Sequence, residues 1–225
     1  KRPAKKTTSQ AALPFEVDAT SRPPLGMPPV DFLHDYWQKR PLLIRNAFPG
    51  FVSSIAPEDL AGLACEEAAL SRLIAHDRAS DAWMVRHGPF EEELFPQLGD
   101  HDWTLLVQDV DKWDADIAAL LPAFDFLPRW RIDDVMVSFA STGGSVGAHV
   151  DQYDVFLLQA HGHRRWQIDA SPSPPLAFRD DVELKLLREF NATHDWVLGP
   201  GDMLYLPPGV PHHGVAEDPC LTFSI

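Results

Sequence analysis

The alternation of apolar and polar positions changes character near residue 130. Before it, helical and extended patterns alternate. VDFLHDYWQKR (30–40) spaces its apolar residues for a helix, and PLLIRNAF follows as a short strand. Pro57 opens a second predicted helix, PEDLAGLACEEAAL, whose acids fall in the first turn, where the macrodipole favours them. SRLIAHD and DAWMVRHG read as short strands around a turn, WTLLVQDV (103–110) as a buried strand, and DKWDADIAALLPAF (111–124) as an amphipathic helix. After it, DDVMVSFAS, YDVFLLQA, RRWQID, HDWVLG, DMLYLPPG and CLTFSI are short strands divided by Gly, Pro and Asp turns. SPSPP (171–175) reads as a loop, and the charged RDDVELKLLREFNATH (179–194) as a partly helical insertion. There is no internal repeat.

Six strands in fewer than a hundred residues predict a sandwich or barrel. The expected fold class is therefore mainly β with α: helical N-terminal elements (28–129) packed on a double-stranded β-helix, the jelly-roll or cupin arrangement (130–225). Such a barrel has a mouth lined by alternate residues of each strand. Residues 1–27 are basic, then polar and proline-rich, and read as a flexible lead-in; with no apolar h-region they are not a secretory signal.

Composition narrows the partners. A chain of 225 residues with 45% hydrophobic and 23% charged positions is a folded globular one. No apolar run approaches the ~18 residues that cross a bilayer, so no membrane association is expected. A formal net charge of −14 repels phosphate backbones, so no direct nucleic-acid binding is expected, while the same field draws in a basic partner. Cys65 and Cys220 make no disulfide framework and no CxxC, and read as reduced thiols of a cytoplasmic protein. A start without Met and an end in the strand-like CLTFSI read as a segment of a longer protein.

His149 and Asp151 form an H-x-D pair, and two residues apart on a strand they would point to one face. GPGDMLYLPPGVPHHG (199–214) would supply a third ligand, its rigid PPGVP turn delivering His212 and His213. Two imidazoles and one carboxylate are the facial triad of non-haem Fe(II) oxygenases, which leaves positions open for O2 and a cosubstrate. An H-x-D alone is a weak signal; joined to GDxLYxPPGxPH about sixty residues later it is a specific one. A 2-oxoglutarate enzyme needs a cation for the far carboxylate of that cosubstrate, and a guanidinium offers a bidentate fork. Arg164 shares its strand face with Trp166 and Ile168, the inward set, whereas Arg165 shares the outer face with Gln167. Arg164 is thus the expected anchor. Ser138 and Thr222, hydroxyls on core-like strands, are further candidates for 2-oxoglutarate. Gln152 and Tyr153 are placed at the substrate mouth, and Trp83, Trp103, Trp113 and Trp130 are assigned to packing.

HVDQYDVFLLQAHGHRRWQI and GDMLYLPPGVPHHG, with RIDDVMVSFAS and WTLLVQDVDKW, resemble the JmjC-type ribosomal oxygenases, specifically their bacterial branch, from about residue 28 to the end. The resemblance implies an Fe(II)- and 2-oxoglutarate-dependent hydroxylase that uses O2 and releases succinate. It implies His149, Asp151 and His212 as iron ligands, the histidine directly after Pro being preferred over His213, and Arg164 as the anchor. It implies as target an arginine of large-subunit ribosomal protein sixteen, a basic ribosomal protein. It also implies a homodimer in the full-length protein, through a dimerisation region and a winged-helix-like domain that follow the barrel and that this sequence lacks. Where the family often has small turn residues, this sequence has His161-Gly162-His163, read as a turn and not as ligands. The alternatives are the same chemistry on a histidine or other residue, a demethylase, a non-oxygenase cupin, which would usually offer H-x-H and a glutamate, and a non-catalytic module that has kept the barrel.

Overall fold

The computed structural model describes residues 12–225. In chain order its elements are β1 (Glu16–Asp18), α1 (Pro29–Asp35), β2 (Leu42–Arg45), α2 (Pro57–Ala64), β3 (Ser71–Asp77), β4 (Ala82–His87), β5 (Trp103–Val107), α3 (Ala115–Ala118), β6 (Met136–Ala140), β7 (Val155–His161), β8 (Arg164–Ile168), β9 (His194–Leu198), β10 (Met203–Leu206), β11 (His212–Ala216) and β12 (Cys220–Ser224). Nine strands form one sheet in the order β1-β2-β10-β7-β12-β6-β5-β3-β4, and three form a second, β11-β8-β9. The β1–β2 pair is parallel, while the other named pairs are antiparallel.

Strand β7 shows how the sheets come together. VFLLQA is buried at every position, as expected of a strand covered on both faces. Phe156, Leu158 and Ala160 point outward with Met203, Tyr205, Leu221 and Phe223 into a core shared with the helices, where Phe32, Tyr36 and Phe124 fill the space. Val155 and Leu157 point the other way, with Leu204 and Leu206, against Trp166, Ile168 and Leu198 of the small sheet. This is the double-sheet, jelly-roll arrangement expected of a mainly β chain. The inner faces do not close on one another at one end, and a cavity of about 980 Å³ remains there.

The departures from the sequence reading have local causes. The helix expected over 111–124 is cut into α3 and flanking 3₁₀ turns. Asp114 is extended and caps α3 by accepting the Ile117 N–H, and Pro122 cannot extend it. The first helix stops at Asp35; Gln38, at φ 56°, is left-handed and turns its N–H to the Tyr205 hydroxyl at 2.8 Å. Helix α2 ends at Ala64. The insertion 179–194 is not helical before β9. It is a strap doubled back on itself, with Phe178 bridging Leu187 and the Arg179 N–H donating to the Leu186 carbonyl. The expected lead-in is corrected where it is described: Glu16–Asp18 is a strand on β2, and Ala19 and Leu25 are buried. Its first eleven residues lie outside the described residues. Cys65 and Cys220 are both free.

Candidate metal centre

The turn PPGVP runs into β11, a strand missed in the sequence reading, and His212 is its first residue. His149 lies opposite it, outside any named strand: the two residues exchange both backbone hydrogen bonds, at 3.0 and 2.9 Å. The H-x-D pair is therefore not on β7, which starts at Val155, but in the segment before it. The Asp151 carbonyl accepts the Gly209 N–H at 2.8 Å, tying that segment to the same turn.

This backbone pairing brings three ligand atoms together. His149 Nε2 is 3.8 Å from Asp151 Oδ1, and His212 Nε2 is 3.4 Å from Asp151 Oδ2. One atom from each residue lies within 4.8 Å of the others, the only such group of three among the described residues. His161, His163 and His213 do not belong to it. Each ligand imidazole is also oriented. His149 Nδ1 is 2.9 Å from the Gly147 carbonyl, and His212 Nδ1 is 2.9 Å from the Val210 carbonyl. A carbonyl only accepts, so Nδ1 carries the proton and Nε2 presents its lone pair to the centre of the group.

The electrostatics agree. Burial, reinforced by the nearby His212, lowers His149 to about 4, so its ring is neutral at pH 7. Burial pushes Asp151 up, but the adjacent His212 and His149 more than offset this and hold it below the usual carboxylate value. Two imidazole nitrogens and a carboxylate fit a borderline divalent ion with several open positions.

Arg164 is the second feature. It heads β8 and is 2% exposed, with Trp166 and Ile168 on the same inward face, as its alternation predicts. Its guanidinium lies over the Trp166 ring, 5.0 Å from the centroid, and donates to the Gly214 carbonyl at 3.3 Å. Its Nε has no partner, and no carboxylate pairs with it among the described residues. Burial pushes its pKa down, which marks how poorly the charge is compensated by the protein alone. Arg165, one residue on, faces out and holds Asp195 with two bonds of 2.7 and 2.6 Å.

Gly214 was not singled out in the sequence, yet it makes room for this arginine. A Cβ there would sit 2.6 Å from the Trp166 ring and 2.7 Å from Arg164 Nε. The glycine after HH in PHHG was the available signal. Ser138 and Thr222 are cross-strand partners on β6 and β12, and both line the cavity with Arg164, His149, Asp151 and His212. The Thr222 hydroxyl donates to Gln159 Oε1 at 3.2 Å, while that of Ser138 has only a long contact, 3.5 Å, to the Thr222 carbonyl. Gln152 and Tyr153 line the mouth and are exposed. So does Trp130, which is 80% exposed, and Trp113 is 45% exposed: neither is the packing residue expected of it. Trp103 packs against the core, and Trp83 stacks on His76 at 4.0 Å.

A double-sheet β fold whose cavity holds two Nε2-presenting histidines and an aspartate has the architecture of the mononuclear non-haem iron oxygenase class. The comparisons with known proteins agree: residues 119–225 match the family model of the JmjC domain. It is 44% identical over 202 residues to the ribosomal protein uL16 3-hydroxylase of Escherichia coli K12, an alignment spanning 87% of this chain and 51% of that protein. It is 42% identical to the probable ribosomal oxygenase of Haemophilus influenzae, over 89% of this chain and 50% of that one. The chain thus spans about half the length of the curated relatives it matches. The crystal structure of the E. coli ribosomal oxygenase YcfD in complex with cobalt and 2-oxoglutarate superposes with a TM-score of 0.78 at 43% identity, covering 89% of this chain and 51% of that one. No described helix is long and apolar enough to cross a membrane.

Proposed function

We propose that the chain is the catalytic part of an Fe(II)- and 2-oxoglutarate-dependent protein hydroxylase acting on an arginine of ribosomal protein uL16. The observation that carries this reading is the buried, uncompensated Arg164 guanidinium in the same cavity as His149, Asp151 and His212. A metal triad alone fits many cupins. A triad facing a buried cation that lacks an anion calls for a cosubstrate with a carboxylate at its far end. A similar E. coli protein of known structure binds cobalt and 2-oxoglutarate, and a curated E. coli relative is named a uL16 3-hydroxylase, which supports the same assignment.

In this reading His149, Asp151 and His212 hold the ion through Nε2, a carboxylate oxygen and Nε2. Bound ferrous iron and 2-oxoglutarate supply the oxidising power for hydroxylating an unactivated carbon, with O2 consumed and succinate and carbon dioxide released. The protein contributes orientation. Arg164 takes the far carboxylate, and the Ser138 hydroxyl, the less committed of the two, turns to the same group, while Thr222 holds Gln159. Trp166, stacked under Arg164, keeps that end dry and raises the worth of each charged hydrogen bond. Asp133, Asp134, Asp154 and Glu183 line the same cavity, giving it a carboxylate wall suited to a cationic side chain such as arginine.

The test is incubation of the protein with uL16, ferrous iron, 2-oxoglutarate and air, followed by peptide mass spectrometry. The expected product carries one additional oxygen on one arginine, with one succinate formed per modification. Oxygen on a histidine or another residue would keep the chemistry and move the target, and loss of a methyl group would make the protein a demethylase. Unmodified protein without succinate would overturn the assignment.

A further inference from the structure

The cavity has a wall that neither the metal nor 2-oxoglutarate accounts for. It is made by the inner faces of β3, β4 and β5 and carries Arg72, His87 and Gln108. Register puts them together. Arg72 lies opposite His87 on β4 and Leu106 on β5. Gln108, two residues beyond Leu106 on the same face, continues the ladder by donating its N–H to the Leu70 carbonyl at 2.9 Å. Diagonal neighbours of this kind are about 7–8 Å apart at Cα, within joint reach of one ligand.

Arg72 and Gln108 are half-buried, and among the described residues neither side chain has a hydrogen-bond or ion-pair partner. Arg72 is not alone in lacking a carboxylate, but it lacks one on a cavity wall. The chain has 33 acids for 19 Lys and Arg, and Arg45, Arg78, Arg165, Arg179 and Arg188 all pair with one or more of them. Glu183, which lines the same cavity, is engaged by His87 at 3.3 Å. An arginine with five donors, removed partly from water and offered no acceptor, is set for an external one.

We propose that Arg72 and Gln108 form a subsite that grips the main chain of the target polypeptide: Arg72 donates to a backbone carbonyl, and the Gln108 carboxamide brackets a peptide unit beside it. The occupant is neutral at this point because the wall around it is acidic and the chain is at −14 overall, conditions that repel an anionic group. It is a chain segment because a cavity of about 980 Å³ far exceeds a five-carbon cosubstrate. The proposal rests on the protein-hydroxylase reading above, and adds how the target backbone is held while its side chain reaches the metal.

Steady-state kinetics on Arg72→Gln, Arg72→Lys and Gln108→Ala test it, with uL16 as substrate and 2-oxoglutarate turnover without uL16 as the second readout. Arg72→Gln is expected to raise the KM for uL16 about tenfold or more, the worth of one charge-assisted hydrogen bond. Its kcat should stay within about twofold of wild type, and turnover without uL16 should not change. Arg72→Lys keeps a donor and should recover part of the loss; Gln108→Ala should raise KM less. An unchanged KM in Arg72→Gln overturns the subsite. So does a joint fall of kcat, uL16-free turnover and thermal midpoint, which would make Arg72 structural. If the wild-type chain turns over 2-oxoglutarate but leaves uL16 unmodified, the target assignment fails and takes this subsite with it; modification by wild type with an unchanged KM in the variant sinks the subsite alone.

Discussion

At the deep end of the cavity, His149, His212 and Arg164 sit on paired backbone, the first half-buried and the other two buried, each with its orientation fixed by a main-chain carbonyl. At the mouth, Trp130, Tyr153 and the strap from 179 to 188 lie on turns, largely exposed, held by side-chain ion pairs such as Arg179 with Asp81 and Asp181. The contrast separates two tasks. Chemistry common to a family needs rigid geometry, which strand pairing supplies. Choice of target needs adjustable contacts, and those fall on loops. Substitutions at the deep end should therefore act on metal and cosubstrate, and those at the mouth on the protein target.

The largest effect should come from the ligands. Asp151→Ala leaves two imidazoles and no carboxylate, so cobalt binding, followed by visible absorption, should weaken by more than the ~10–100-fold typical of outer-shell partners, and turnover should vanish. Full cobalt affinity in that variant would place the ion elsewhere. Next comes the neighbouring pair on β8. Arg164→Ala should raise the 2-oxoglutarate requirement on the order of a hundredfold, the cost of losing a desolvated charge partner. Arg165→Ala removes only a solvent-screened surface pair, so the requirement should move less than about threefold. The opposite ranking would mean that the two faces of β8 have been exchanged.

A smaller effect is expected where the deep end is braced. The Tyr205 hydroxyl, fully buried, donates to Asp154 Oδ1 at 2.6 Å and accepts the Gln38 N–H at 2.8 Å. Burial, then the bond to Asp154, pushes its pKa far above the ordinary tyrosine value, so it stays a donor at any working pH. Asp154 follows the H-x-D by three residues, so this bond fixes the far end of the segment that carries His149 and Asp151. Tyr205→Phe strands an N–H and weakens the hold on a carboxylate, and should cost about 1–3 kcal/mol of stability, read as a drop in denaturation midpoint. An unchanged midpoint would show that the segment needs no brace.

The same division explains what was legible in the sequence. The clustering of the three candidate ligands and the inward face of Arg164 could be read because they depend on short-range rules: period two along β8, and a Pro-rich turn that delivers a histidine. Most strands from 130 onward could be read for the same reason. The H-x-D was misplaced onto a strand because its partner, β11, is more than sixty residues away, and pairing at that distance leaves no local pattern. The role of Gly214 depends on a cross-strand neighbour, Trp166, and was hidden likewise. The strap looked helical because LKLLREF has helical spacing. Its conformation is set by tertiary bonds, from the Leu187 N–H to the Ala148 carbonyl and from Arg179 to Asp81, which override propensity. Trp130 was assigned to packing on residue type alone.

That misassigned tryptophan offers the mildest test of the comparison. Trp130 belongs to a 3₁₀ turn, Arg129–Arg131, on the cavity rim. The Arg131 guanidinium lies 5.5 Å from its ring and 5.9 Å from that of Trp37, so the rim is ordered although the indole is exposed. A preordered, exposed aromatic loses little entropy when covered, which is the profile of a contact residue. Trp130→Ala removes almost no buried surface from the free protein, so stability should change by less than about 0.5 kcal/mol. Binding of uL16, measured calorimetrically with cobalt and 2-oxoglutarate present, should weaken several-fold, about 1 kcal/mol, while 2-oxoglutarate affinity stays constant. A change in cosubstrate affinity without one in uL16 affinity would erase the division between deep end and mouth, because a rim residue would then be acting on the chemistry and not on the target.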